Sequence, residues 1–149
     1  MKCATPGGMT RALILLGALA LLACDGDSER NEANLLLTRL EAIRSDDLDE
    51  WRRKVDSLGA MPLEFEGNQA VRDKCHAMHD ALLRAEEATE EARQTMDQLE
   101  AGQDGDPQVV AEALARSESA IAETRELRRP CEDAHAELKT RFASQRGGS

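Results

Sequence analysis

A seven-residue apolar repeat over about four heptads constrains the fold more than any other feature of this chain. Its positions are spaced alternately four and three residues apart: Val71, Cys75, Met78, Leu82, Ala85, Thr89, Ala92, Met96 and Leu99. An α-helix with this spacing presents one continuous stripe to a partner helix. The pattern therefore predicts a coiled-coil helix over residues 68–101.

A second long helix is predicted after a short turn at residues 101–107. Asp106 and Pro107 form a helix start signal, and Gly102 and Gly105 suit the turn before it. Apolar or small residues then recur at helical spacing: Val110, Leu114, Ser117, Ile121, Thr124, Leu127 or Arg128, Cys131, Ala134 or His135, Leu138 and Phe142. The sequence thus predicts an antiparallel hairpin whose second helix covers residues 107–143. Because Pro130 lacks an N–H donor, we expect it to kink or divide this helix.

The hairpin needs a third helix, because its seams are rich in small residues and bury little area. Residues 29–58 supply a suitable apolar stripe: Leu37, Leu40, Leu48, Trp51, Val55 and Leu58. Ser45, Asp46 and Asp47 are good caps, so a kink or break near residue 45 is expected, and Gly59 ends the helix. We therefore predict an all-α fold, an elongated antiparallel three-helix bundle built on a coiled-coil hairpin.

The N-terminal segment has the character of a secretion signal. Lys2 and Arg11 accompany an apolar run of 12 residues, shorter than the roughly 20 that cross a bilayer as a helix. The run ends in Leu-Leu-Ala-Cys at residues 21–24, with a small residue directly before the cysteine. This pattern resembles the lipobox of bacterial lipoproteins.

The resemblance to bacterial lipoproteins implies a processed and anchored protein. Residues 1–23 would be removed, and Cys24 would be acylated and become the mature N-terminus. A tether of residues 24–28 would then lead into a helical domain at 29–144 and a disordered tail at 145–149. The location implied is the cell membrane, facing the periplasm or the outside, with inner or outer membrane left open.

Cys75 and Cys131 remain once Cys3 leaves with the signal and Cys24 carries the lipid. Outside the inner membrane the compartment is oxidising, so two such cysteines tend to pair. Both lie on the predicted seams, and they are equidistant from residue 103, inside the predicted turn. The sequence therefore predicts a Cys75–Cys131 disulfide that joins the two long helices.

A metal site is the alternative interpretation of the same region. Cys75 and His79, like Cys131 and His135, are four residues apart, so each helix offers two ligands on one face. A Cys2His2 set suits zinc, and with His76 and Met78 nearby copper is also conceivable. A disulfide and this four-ligand site exclude each other.

The charge balance and the absence of several sequence motifs exclude some classes of function. Removal of residues 1–23, which hold two basic and no acidic residues, lowers the formal charge from −10 to −12. Such a chain is unsuited to nucleic acid. It lacks a phosphate loop or a nucleophile elbow, its acidic runs are typical of solvated helix faces, and we assign no catalytic residue and no cofactor. We therefore expect a non-enzymatic envelope scaffold or interaction module with a protein partner, and homo-oligomerisation stays open.

Overall fold

The structure is a computed structural model that describes the backbone of residues 14–143 and the side chains of residues 26–142. The predicted tail at 145–149, residues 1–13 of the predicted signal and the side chain of Cys24 lie outside the described residues. Within them the chain is all-helical, with α1 at Ile14–Glu41, α2 at Leu48–Gly59, α3 at Glu66–Glu100 and α4 at Pro107–Ala143. None of these helices, as far as they are described, is long and apolar enough to cross a membrane.

The predicted coiled-coil hairpin is confirmed. Helices α3 and α4 pack along one another in antiparallel fashion, joined by a turn in which Gly102 has a φ of 68°, a conformation that favours glycine. Their bounds agree with the predicted ranges to within two residues. Pro130 lies inside α4 without dividing it.

The break expected near residue 45 is present and divides the predicted helix at 29–58 into two, so the described part of the chain has four helices in place of the three predicted. Asp47 caps α2 by accepting the Glu50 N–H at 2.6 Å, and Ser45 donates to the Glu50 carboxylate at 2.6 Å. These caps satisfy the first turn of a new helix, and the chain reverses there. The reversal brings the apolar stripes of α1 and α2 into one core. Arg39 of α1 also donates a hydrogen bond to Ser57 of α2. Residues 24–28, expected as a tether, continue α1 as helix.

The core is concentrated at one end of the hairpin. We call this end the base: α1, α2, the inner part of α3 up to Leu83 and the part of α4 after residue 124. Its buried cluster holds all the large side chains of the core: Leu36, Leu40, Ile43, Trp51, Val55, Leu58, Met61, Leu63, Val71, Leu83, Leu138 and Phe142, with Ala33, Ala134 and both cysteines.

In the rest of the hairpin, residues 84–124, every fully buried side chain is small, and Leu99, Val109 and Val110 near the turn are half-buried. In this outer hairpin the buried residues are Ala85, Ala88, Ala92, Ala113, Ser117, Ala120 and Thr124. Met96 of the α3 heptads is 46% exposed, and Leu114 and Ile121 of the predicted α4 stripe are 46% and 38% exposed. In α4, Ala113 and Ala120 take their places inside, while Ser117 and Thr124 are buried as the stripe predicts.

Candidate functional site

The two cysteines form the centre of the candidate site, in the base. Cys75 of α3 and Cys131 of α4 are joined by a disulfide with an Sγ–Sγ distance of 2.07 Å, as the sequence predicts. Both residues are buried, and their Cα atoms are only 4.7 Å apart. The register continues outward, because Thr89 and Ser117 hydroxyls are bonded at 2.9 Å and Arg84 donates to Glu123 at 2.8 Å. The disulfide therefore fixes both the register and the close approach of the two long helices.

Histidines surround this centre on the side covered by α1 and α2. His79 is largely buried, and burial, with smaller effects from Arg44 and His76, lowers its pKa to about 4. Burial also lowers the pKa of His135, with Lys139 adding to the effect and Glu41 opposing it. Among the described residues, neither His79 Nδ1 nor His135 Nε2 has a hydrogen-bond partner, although both atoms are buried.

The four residues of the alternative metal site are not brought together as ligands. The two sulfurs are bonded to each other, so neither is a free thiolate. His79 lies near Arg44 in the α1–α2 connection, whereas His135 lies near Glu41 of α1. Across the part of the chain whose side chains are described, no three His, Cys, Asp or Glu side chains gather in a way that could hold a metal.

A polar junction between α1 and the start of α3 was missed by the sequence analysis. The Glu32 carboxylate accepts the Glu64 and Phe65 N–H groups at 2.7 and 3.2 Å, and Asn68 Nδ2 at 2.9 Å. Partial burial of Glu32 opposes ionisation, but these hydrogen bonds outweigh it, so the pKa of Glu32 lies below its usual value. Asn68 is fully buried in the first turn of α3. Glu32 thus anchors the loop before α3, where Phe65 provides no side-chain cap.

The second helix, α2, is tied to α3 by a charged contact. Arg52 donates to Asp80 at 3.2 Å and also to Glu87, and the hydrogen bond to Glu87 raises the pKa of Arg52 against the effect of burial. On the same helix the Trp51 ring is buried under the Arg44 guanidinium, 5.1 Å from the ring centre. These contacts orient α2 and the α1–α2 connection on the hairpin.

A groove lies between α1 and the end of α4. It has a volume of about 590 Å³ and is lined by residues that include Arg30, Leu37, Glu41, Lys139 and Phe142. Its carboxylate, Glu41, bonds to Lys139 at 2.9 Å, and this contact lowers the pKa of Glu41. Glu41 is therefore held ionised near neutral pH and is unsuited to act as a general acid there.

Comparisons of the chain with protein-family models, with curated proteins and with solved structures find no match.

Proposed function

We propose that this protein is a lipid-anchored, non-enzymatic envelope protein whose outer hairpin serves as a scaffold or interaction module. The lipid would be carried by Cys24 after removal of residues 1–23. The membrane would be the inner or the outer membrane of the cell, with the helical domain facing the periplasm or the outside.

One observation carries this proposal: the chain enters the fold at the base. Glu29, five residues after Cys24, accepts Arg141 near the end of α4 at 3.1 Å, and its carbonyl accepts Asn68 near the start of α3 at 3.3 Å. A lipid on Cys24 would therefore hold the base at the membrane. The 35 residues of α3 span roughly 50 Å at 1.5 Å per residue, so the turn at Gly102 would stand that far from the start of α3, where the chain enters the fold.

The composition of the outer hairpin supports an interaction role. The fully buried residues of its seam are all small, while three larger apolar side chains, Met96, Leu114 and Ile121, are exposed on its surface. Exposed apolar side chains on a projecting coiled coil suit contacts with helices of a protein partner. Its charged residues include interhelical ion pairs, Arg84 with Glu123 and Arg116 with Glu91, which keep the two helices in register.

The anchor is tested by fractionation of cells that produce the wild type, Cys24→Ala or the matched control Cys3→Ala. We expect the wild type and the Cys3→Ala variant in the membrane fraction, and Cys24→Ala in a soluble or unprocessed form. Intact mass should correspond to residues 24–149 plus acyl chains, and density-gradient separation assigns the membrane. Acyl chains on Cys24→Ala, or a membrane-bound wild type whose mass shows no acyl chains, would refute the lipid anchor.

The interaction role is tested by photo-crosslinking in cells. A photoreactive residue at Leu114 or Ile121 should give a discrete protein adduct, whereas the same residue at exposed Asp133 of the base should not. Equal adducts from all three positions would contradict a partner site on the outer hairpin.

A further inference from the structure

All three histidines of the chain lie where the α1–α2 hairpin meets the α3–α4 hairpin. The His76 ring packs against Gly59 at the end of α2, so closely that a Cβ there would be 2.6 Å from Nε2. His79 faces Arg44 in the α1–α2 connection, and His135 faces Glu41 at the end of α1. The side chains that gain a proton most readily between pH 7 and 5 are thus gathered at one interface.

A proton on His79 or His135 would be poorly accommodated in this interface. A protonated imidazole donates from both nitrogens, yet the buried His79 Nδ1 and His135 Nε2 have no acceptor among the described residues. The charge would stay costly until those nitrogens reached water.

The charges that face the two rings do not remove this cost. His79 faces the cation of Arg44 from the connection and His76 from its own helix, and Lys139 of α4 acts against a charge on His135. Glu41 of α1 favours a charge on His135, but it is already bonded to Lys139 at 2.9 Å. On α2, the cation of Arg52 is paired with the Asp80 and Glu87 carboxylates of α3.

The α3–α4 seam has no such weakness. In the outer hairpin, Ser117 and Thr89 are bonded to each other, and Thr124 donates to the Ala120 carbonyl at 2.8 Å. The Cys75–Cys131 disulfide joins the same two helices covalently within the base. Protonation of the histidines would therefore weaken the interface between the two hairpins and leave the α3–α4 seam closed.

We propose that acidification releases the α1–α2 hairpin from the α3–α4 hairpin, while the disulfide keeps α3 and α4 together. We call the contact between the two hairpins the clasp: it is closed when they are packed together and open when they separate. This inference does not depend on the lipid anchor.

The expected size of the response follows from proton linkage. A histidine whose pKa is about 4 when the clasp is closed and 6.5 when it is open shifts the open-to-closed ratio by about 30-fold between about pH 7.5 and pH 5. Since the closed-state pKa lies below the open-state value, stability is complete above about pH 6.5 and is lost as the pH falls. Most carboxylates titrate below this window, so it isolates the histidines.

Amide hydrogen exchange of the full chain in detergent micelles, corrected for intrinsic rates at each pH, measures the opening ratio directly. Between about pH 7.5 and pH 5, we expect the opening ratio of α2 amides to rise about 30-fold. Amides of α3 and α4 in the outer hairpin should change by less than about threefold. Trp51, the single tryptophan and 3% exposed, should become more accessible to a quencher over the same range. A rise under threefold in α2, or an equal rise in both hairpins, would overturn the proposal.

The His79→Gln variant tests the cause. We expect the α2 response to fall below about threefold, whereas the matched variant His76→Gln should keep most of it, because the nitrogens of His76 are not among the buried unpartnered atoms of the described residues. A wild-type response in His79→Gln would overturn the proposal. If His79→Gln is not helical at pH 7.5, Arg44→Gln replaces it. That variant removes the cation that lowers the pKa of His79 and should show a smaller rise than the wild type, so an unchanged rise would equally overturn it.

Discussion

The base and the outer hairpin are built from the same two long helices, yet they are packed in opposite ways. In the base, α1 and α2 cover α3 and α4, and the large side chains, such as Leu36, Trp51 and Leu83, are inside. In the outer hairpin the fully buried residues are alanine, serine and threonine, and the larger apolar residues Met96, Leu114 and Ile121 are exposed. The base therefore supplies most of the hydrophobic stability, whereas the outer hairpin is a rod whose register is kept by close packing.

The strongest test of this division replaces a leucine in each region. Leu83→Ala in the base removes a fully buried side chain and should lower the free energy of unfolding by about 3–5 kcal/mol. Leu114→Ala in the outer hairpin removes a side chain that is 46% exposed and should cost less than about 0.5 kcal/mol. Urea unfolding followed by circular dichroism measures both. Similar losses for the two variants would break the comparison.

The disulfide ranks next in expected effect. It closes a loop of 56 residues, and its removal by Cys75→Ser with Cys131→Ser should cost about 3–4 kcal/mol through the greater entropy of the unfolded chain. Unfolding of the wild type with and without reductant gives the same comparison. Alkylation of Cys75 and Cys131 in the unfolded protein without any reductant, read from the intact mass, would show that the two sulfurs are not paired.

Overpacking tests the close approach in the outer hairpin. Ala120→Leu forces a larger side chain into the seam and should destabilise by about 1–3 kcal/mol. Ala122→Leu, two residues along on an exposed face, is the matched control and should change stability by less than about 0.5 kcal/mol. Thermal unfolding decides the point, and an Ala120→Leu variant as stable as the control would place another face of α4 inside.

The Glu32 junction in the base gives the smallest expected effect. Glu32→Gln weakens three hydrogen bonds to the start of α3 and should cost about 1 kcal/mol at neutral pH, against no measurable change for exposed Glu137→Gln. Because the pKa of Glu32 is lowered in the fold, its contribution is present above the usual value of 4.5 and is lost as the pH falls below it. The urea midpoint of Glu32→Gln should therefore lie below that of the wild type at about pH 7 and equal it at about pH 3. The same difference between the two proteins at both pH values would contradict this role.

Much of the fold could be predicted from the sequence because local signals and periodicity agreed. The heptads and the turn around Gly102 predicted the hairpin, and its antiparallel register predicted the pairing of Cys75 with Cys131. The choice of Ala113 and Ala120 over Leu114 and Ile121 could not be predicted, since the two columns are adjacent and hydrophobicity favours the larger residues. Small side chains allow two helices to approach closely, and at the disulfide the Cα atoms of α3 and α4 are only 4.7 Å apart.

The arrangement of the base depended on information that the sequence does not carry locally. Ser45 and Asp47 marked a break in the first helix, but a cap signal does not say in which direction the next helix runs. Glu32 is more than 30 residues away in the chain from Glu64 and Asn68, so no spacing rule indicates that these residues meet. The burial of His79 also follows from the return of the connection over α3.

If the base is anchored and the outer hairpin projects from it, the base lies near the membrane and the turn lies far from it. The distance of each end from the membrane can be measured. The full lipidated protein would be placed in vesicles whose headgroups carry a fluorescence quencher, with a small fluorophore either at Glu64 of the base or at Gln103 of the turn. We predict strong quenching at Glu64 and none at Gln103, which would lie roughly 50 Å further out. Equal quenching at both positions, or stronger quenching at Gln103, would contradict the account.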